Sequence, residues 1–161
     1  MALVIRPAEP EDVDDIVRLI RELADYEKLL HEAEAGEAEI AAALFAPQPR
    51  VFCDLARWHG EPVGLALWYY TFSTFVGRHG IWLEDLYVEP DKRGHGIGKA
   101  LLTGLAARCV AENLGRLEWS VLNWNEPSIA FYESLGAGPM SEWTTYRLTG
   151  SALLDAGRYL P

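Results

Sequence analysis

The stretch that decides the fold reads LEDLYVEPDKRGHGIGKALL, from Leu83 to Leu102. Its first part is an apolar run that stops at Pro90, which has no N–H group and therefore tends to end a strand. Glycines follow at the alternate positions 94, 96 and 98, and apolar residues then recur at helical spacing. The stretch therefore predicts a strand, a glycine loop and a helix in succession.

A glycine loop that opens a helix can bind an anion. The first N–H groups of a helix have no partner within it, the helix dipole adds partial positive charge, and glycine lets a ligand approach the backbone. Lys92, Arg93 and Lys99 add full charges around this loop. The alternative is a helix that merely begins in a glycine-rich loop.

Two known phosphate-binding loops are excluded. A Walker loop needs Gly at position 93 and Ser or Thr at position 100, but the chain has Arg93 and Ala100. The dinucleotide fingerprint needs Gly where Lys99 stands. The remaining match, Arg-x-x-Gly-x-Gly, resembles the acetyl-CoA loop of the GNAT superfamily of N-acetyltransferases. That resemblance implies that acetyl-CoA is bound by Arg93, Gly94, His95, Gly96, Ile97, Gly98 and Lys99.

Length and composition indicate one domain, residues 1–161. Lys and Arg number 14 against 24 Asp and Glu, a net charge of -10 that disfavours nucleic acid as a partner. No apolar run is long enough to span a bilayer, and the N-terminus lacks the pattern of a signal peptide. We therefore expect no membrane association and a cytoplasmic protein.

The histidines and cysteines do not indicate a metal site. His59, His79 and His95 lack the spacing of metal ligands. Cys53 and Cys109 lie far apart in predicted buried elements and are interpreted as small core residues. No metal cofactor is expected.

Hydrophobic periodicity predicts the element order β-α-α-β-β-β-α-β-α-β, an α/β arrangement with one mixed sheet and helices on both faces. The resemblance implies the GNAT fold, with about six to seven strands. A loop is expected over residues 71–80. Gly115 is expected just after the long helix, and Ser151 is expected to cap a terminal helix. Strands are predicted at residues 3–6, 51–56, 63–70, 81–88, 117–122 and 140–148, and helices at 13–28, after 36, from 97, at 125–136 and after 151.

Further segments narrow the resemblance to the diamine (spermidine/spermine) N-acetyltransferase branch and its bacterial relatives. These segments are Leu83–Asp85, Asn125–Ser128 with Phe131 and Tyr132, and the opening Ile5–Ala8. The resemblance implies direct transfer of acetyl from acetyl-CoA to a primary amine of a small molecule, and a homodimer. Two alternatives stay open: a protein or peptide N-acetyltransferase, and a CoA-binding regulatory module without activity.

Tyr132 is the candidate general acid for the departing thiolate. Asn125, Ser128 and Tyr132 are spaced by three and four residues, so they share one helix face. The family places its general-acid tyrosine in this motif. Asn125 and Ser128 are expected to contact the cofactor, although helix capping explains Asn125 equally well. The alternative for Tyr132 is a half-buried aromatic residue whose hydroxyl meets water.

Glu84 is the candidate base, acting directly or through water. Strand alternation would place Glu84 and Asp85 on opposite faces of the sheet, so that only one of them could line the acceptor cleft. The alternative is an ionised residue at a sheet edge. By resemblance, the backbone of Leu86, Tyr87 and Val88 binds the acetyl carbonyl and pantetheine, beside a β-bulge that parts two strands.

Tyr26 and Glu27 match the amine-binding pair of the diamine branch, and we expect Glu84 to be a further substrate contact. The alternative for Tyr26 and Glu27 is a charged helix end. Polyamine-specific relatives carry an acidic residue in the loop before the Leu-Glu-Asp strand, but residues 73–79 here contain Arg78 and no carboxylate. A monoamine, an amino-acid-like amine or a shorter diamine is therefore favoured over spermidine.

Overall fold

Five strands form a single mixed sheet in the computed structural model, which describes residues 2–159. The sheet order follows the chain: neighbours from β1 to β4 pair antiparallel, and β5 pairs parallel to β4. The predicted α/β class with helices on both faces is confirmed, with fewer strands than the expected six to seven. The strands are Leu3–Pro7 (β1), Phe52–Trp58 (β2), Glu61–Ser73 (β3), Arg78–Val88 (β4) and Leu117–Trp119 (β5).

Five α-helices accompany the sheet in the described part of the chain, close to where periodicity placed them. The third begins directly after the glycine loop, at Ile97, as the sequence predicts. The helices are Val13–Tyr26 (α1), Glu37–Leu44 (α2), Ile97–Ala111 (α3), Glu126–Ser134 (α4) and Gly150–Gly157 (α5).

Helices α1 and α2 pack on one face of the sheet, and α3 packs on the other. Ile16 and Leu19 of α1 are fully buried, and burying a side chain of this size contributes about 1.5–3 kcal/mol. On the opposite face, the Arg108 guanidinium of α3 lies 4.9 Å from the ring centre of Trp68. The first face is lined by Cys53, Leu55, Leu65, Leu67 and Tyr87, which pack with the two helices.

Asp12 fixes the corner where β1 turns into α1. Its side chain is 3% exposed and accepts hydrogen bonds from Arg6 (2.7 and 3.1 Å), from Arg57 (2.9 Å) and from the Glu9 amide (2.8 Å). Burial opposes ionisation, but these hydrogen bonds outweigh it and lower the pKa of Asp12 to about 2. The corner is therefore held by a buried charge whose partners are all in place.

The prediction of a loop over residues 71–80 is wrong, because β3 and β4 continue through most of this segment as a hairpin. Pairs extend from Tyr69↔Trp82 to Ser73↔Arg78, and the Gly77 amide closes the turn on the Ser73 carbonyl at 2.8 Å. The tip is exposed on both faces, so its sequence lacks the apolar alternation by which half-buried strands are recognised.

Residues 140–148, predicted as a strand, are not in a strand. Their side chains are exposed and the segment has no pairing partner, so β-branched and aromatic content alone did not suffice. The left-handed residue after α3 is Asn113 (φ 56) rather than Gly115, and Thr149 rather than Ser151 is the cap of α5.

By its contacts the chain divides into two units, Met1–Leu122 and Asn123–Pro161. The first contains the whole sheet with α1, α2 and α3, and the second contains α4 and α5. The expected single-domain organisation stays a prediction. In the part of the chain that is described, no helix combines the length and apolar character that crossing a membrane requires.

Candidate active site

The glycine loop presents a row of backbone amides without protein acceptors. Gly94 and Gly96 adopt left-handed conformations (φ 81 and 77), which glycine accommodates without steric cost. Among residues 2–159, none of the amides from Gly94 to Lys99 donates to another protein group. The first partnered amide is that of Ala100, which donates to the Gly96 carbonyl at 2.9 Å. The loop therefore has the donors that an anion requires.

The surroundings of these amides leave room for a ligand. A Cβ built on Gly94 or Gly96 would meet no heavy atom within 4 Å, and one on Gly98 would meet Val88 at 3.7 Å. The His95 imidazole Nδ1 lies 3.1 Å from the carbonyl oxygens of Lys92 and Arg93, which it can fix by donating a hydrogen bond. The loop is thus open on its amide side and braced on its carbonyl side.

Strand β4 carries a bulge at Glu84. Leu83 pairs with Trp68 and Asp85 pairs with Leu67, which leaves Glu84 without a partner across the ladder. A bulge bends its strand and increases the local twist. The parallel ladder between β4 and β5 ends at the same place, with the pair Leu83↔Trp119. The bulge that the resemblance implies is therefore present, and β5 ends beside it.

Beyond Leu83, the edge of β4 that faced β5 carries no strand among the described residues. The Glu89 amide donates toward β3, to the Val63 carbonyl at 2.8 Å. Because backbone groups alternate in direction along a strand, those of Leu86 and Val88 point to the open edge. An extended ligand chain could therefore add to this edge as another strand would. The binding roles of Leu86, Tyr87 and Val88 stay predictions.

Glu84 and Asp85 lie on the same face of the sheet, so the expectation of opposite faces is wrong. Asp85 shares its face with its pairing partner Leu67, on the side of α1 and α2. Glu84 accepts a hydrogen bond from the Trp82 indole at 3.0 Å, and Trp82 pairs with Tyr69 on that same face. The cause is the bulge, since one inserted residue interrupts the period of two.

Asp85 differs chemically from Glu84. Burial, together with the negative charges of Glu84 and Glu27, raises the pKa of Asp85 to about 7. Burial also raises the pKa of Glu27. Glu84 is exposed. Near neutral pH the Asp85 carboxyl can therefore both accept and release a proton, as a general base must.

Tyr26 and Glu27 lie at the end of α1, and Arg93 of the glycine loop contacts that end. The Arg93 guanidinium lies 5.0 Å from the centre of the Tyr26 ring and 5.6 Å from that of Tyr87. Its Nε donates to the Val88 carbonyl at 2.9 Å. The structure thus brings Arg93, which the motif predicts as a cofactor residue, against a residue predicted to bind the amine.

In the second unit, Asn125 caps α4. Its side-chain oxygen accepts a hydrogen bond from the Ser128 amide at 3.4 Å, and the residue is 5% exposed. Tyr132 is half-buried, with its ring 5.5 Å from that of Phe131. The capping role of Asn125 is confirmed. The cofactor contacts of Asn125 and Ser128 and the general-acid role of Tyr132 stay predictions.

Sequence reasoning underrated one residue and missed one contact. Strict alternation allows only one of Glu84 and Asp85 to line the cleft, and the bulge that removes this restriction is visible only in the pairing of β4 with β3. The contact of Arg93 with two tyrosine rings had no sequence signal, because the three residues are brought together only by the fold. Within residues 2–159, no three His, Cys, Asp or Glu side chains are grouped as metal ligands would be.

Comparisons with known proteins agree with this geometry. Residues 15–137 match the family described as the acetyltransferase (GNAT) family. The chain is 36% identical over 164 residues to the thialysine N-epsilon-acetyltransferase of Bos taurus, covering 95% of this chain and 96% of that protein. It is 30% identical over 194 residues to the L-ornithine N5-acetyltransferase of Arabidopsis thaliana, covering 92% of this chain and 85% of that protein. A solved integron cassette protein of V. cholerae superposes with a TM-score of 0.83 at 28% identity, covering 99% of each chain.

Proposed function

This chain belongs to the acetyltransferase (GNAT) family, and from that premise we propose that it moves acetyl from acetyl-CoA directly to a primary amine of an amino-acid-like small molecule. The single observation that carries the proposal is the row of unpartnered amides from Gly94 to Lys99, which continues from the open edge of β4. A diphosphate suits the row of unpartnered amides, and an extended amide-bearing chain suits the open edge of β4.

The residues present fit acetyl-CoA. The two left-handed glycines leave open space where a side chain would stand, and the amides around them need acceptors. Loop residues 94–99 would hold the diphosphate, and the backbone of Leu86 and Val88 would hold the pantetheine. Acetyl-CoA supplies the activated acetyl group as a thioester. Asn125 and Ser128 are proposed as further contacts to the cofactor chain.

The chain itself must supply proton transfer. A free ammonium with a pKa near 10.4 is about one part in a thousand neutral at pH 7, so a base is needed. We assign proton acceptance to the Glu84–Asp85 pair, with Asp85 as the acceptor whose pKa lies near 7. Exposed Glu84 contacts the incoming ammonium. Tyr132 is proposed to protonate the departing thiolate.

The acceptor face carries several carboxylates, which suit an ammonium. The charges of Glu27 and Glu84 both reach Asp85, as their effect on its pKa indicates. Residues 73–79 contain no acidic residue. Within them, Arg78 donates to the Asn113 side chain at 3.1 Å and gives no favourable charge to a second, distant ammonium. Relatives named for thialysine and ornithine support a short, amino-acid-like acceptor.

An acceptor scan tests this function. The purified chain is incubated with acetyl-CoA and thialysine, L-ornithine, putrescine, spermidine or short peptides, and thiol release is measured. We expect the fastest turnover with the two amino acids. Turnover confined to peptides would contradict the small-molecule assignment, and CoA binding without any turnover would favour a regulatory module.

Two finer proposals remain, a homodimer from the resemblance and a cytoplasmic location from the sequence pattern. We propose that the protein is a homodimer and that it acts in the cytoplasm. Light scattering behind a sizing column tests the first: a mass near twice 18.0 kDa is expected, and a monomer at working concentration would contradict it. Cell fractionation tests the second.

A further inference from the structure

We propose that Arg93 is a positioning residue that couples acetyl-CoA binding to amine binding, a role that rests on the proposed function. The motif predicts a cofactor role for this arginine. In the structure its guanidinium lies against Tyr26 and Tyr87, on the face where Asp85 and Glu27 lie. The residue therefore joins the two halves of the proposed active site.

The first half of the link is mechanical. Arg93 opens the glycine loop, its amide donates to the Pro90 carbonyl at 3.3 Å, and its Nε donates to the last residue of β4, Val88, at 2.9 Å. The next residue is the left-handed Gly94, whose side of the loop offers the unpartnered amides. A diphosphate that engages those amides fixes the loop, and with it the path of the Arg93 side chain.

The second half is the contact with the end of α1. Helix ends fray, and α1 ends at Tyr26, directly before Glu27 and the left-handed Lys28 (φ 62). A guanidinium that lies over an aromatic ring is attracted to it and holds it in place. Fixing Arg93 over Tyr26 therefore orders the residues that contact the amine.

The charges around Arg93 permit this role. Glu22 and Glu89, the acids near the Tyr87 hydroxyl, are both paired with Arg18, at 2.9 and 2.6 Å. Within the described residues, no carboxylate lies within ion-pair distance of the Arg93 guanidinium. Its orientation is therefore set by the two rings and the Val88 carbonyl rather than by a salt bridge.

Coupling of this kind is reciprocal, so it can be measured from either ligand. Calorimetry gives the dissociation constant of thialysine with and without saturating CoA, which carries no acetyl group and cannot react. We expect CoA to tighten thialysine binding about fivefold in the wild type. We call the thialysine dissociation constant without CoA divided by that with CoA the coupling ratio. In Arg93→Met this ratio should fall to near one, while the affinity for CoA alone changes less than threefold.

Three further variants separate this role from others. Arg93→Lys keeps the charge but loses the planar Nε donor, so it should restore only part of the coupling. Tyr26→Phe keeps the ring and should keep the ratio, even where it weakens amine binding. Arg116→Met, at an exposed arginine paired with Glu118, should change neither quantity.

The outcomes distinguish this inference from the proposed function. If the wild type acetylates amines but its ratio is near one, or if Arg93→Met keeps the wild-type ratio, the coupling role is overturned alone. If Arg93→Met weakens CoA binding tenfold or more and keeps the ratio, Arg93 is a diphosphate ligand and the inference is again wrong. If no amine is acetylated or bound, the proposed function and the coupling role of Arg93 are both wrong.

Discussion

Replacing Asp85 by asparagine should make the folded protein more stable and the enzyme less active. Burial and the charges of Glu84 and Glu27 raise the pKa of Asp85 from 3.8 to about 7. The folded state thus binds its proton more tightly than the unfolded chain. The wild type therefore loses stability as the pH rises from about 4 to about 7, and the loss is complete above that range.

The magnitude follows from the same two values. A pKa of about 7 in place of 3.8 corresponds to about 4 kcal/mol once the carboxyl is ionised, as an upper limit because Asp85 is partly accessible. Asparagine has the same shape and carries no charge. We therefore expect Asp85→Asn to raise the free energy of unfolding by about 2–4 kcal/mol at pH 8, and by about zero at pH 4.

Urea unfolding at both pH values measures this difference, with Asp25→Asn on the exposed side of α1 as the control. The activity of the same variant should move the other way, with kcat lowered about 100-fold or more because the base is lost. An equal stability change at both pH values, or a loss of stability at pH 8, would refute the reasoning. Unchanged turnover would remove Asp85 from proton transfer.

Three further predictions concern other parts of the molecule. Asp12→Ala should destabilise the fold by about 3–5 kcal/mol, since it leaves Arg6 and Arg57 without their buried partner; urea unfolding at pH 7 measures it, and a loss below 1 kcal/mol would contradict it. Tyr132→Phe should lower kcat about 100-fold with unchanged acetyl-CoA affinity, and full turnover would exclude the general-acid role. The wild-type kcat should rise as the pH passes about 7, where Asp85 loses its proton, and a flat profile would argue against that assignment.

Sequence reasoning worked where local pattern and burial agree. Three consecutive elements are predictable because each is specified within a few residues. Pro90 ends the strand, glycines that accept left-handed conformations form the loop, and helical periodicity defines α3. The same holds for α1, whose apolar stripe runs from Val13 to Leu23. At these positions tertiary contacts reinforce the local preference.

The failures share a cause, which is dependence on a distant partner. Residues 140–148 have strand composition, but a strand needs a neighbour, and composition does not supply one. The bulge at Glu84 is visible only in the pairing with β3, so alternation misplaced the face of one carboxylate. The hairpin tip is exposed on both sides, and its periodicity therefore carries no signal of a core.

The proposed function depends on the binding of the acetyl-CoA diphosphate by the backbone amides from Gly94 to Lys99. The affinity of Gly96→Val for acetyl-CoA is the most direct test of that binding. Gly96 is left-handed (φ 77), a conformation that a β-branched residue resists, although no atom occupies the space for its side chain. Calorimetry should show affinity at least tenfold weaker, with Gly104→Ala in the middle of α3 binding as the wild type does. Wild-type affinity in a folded Gly96→Val variant would contradict the placement of the cofactor.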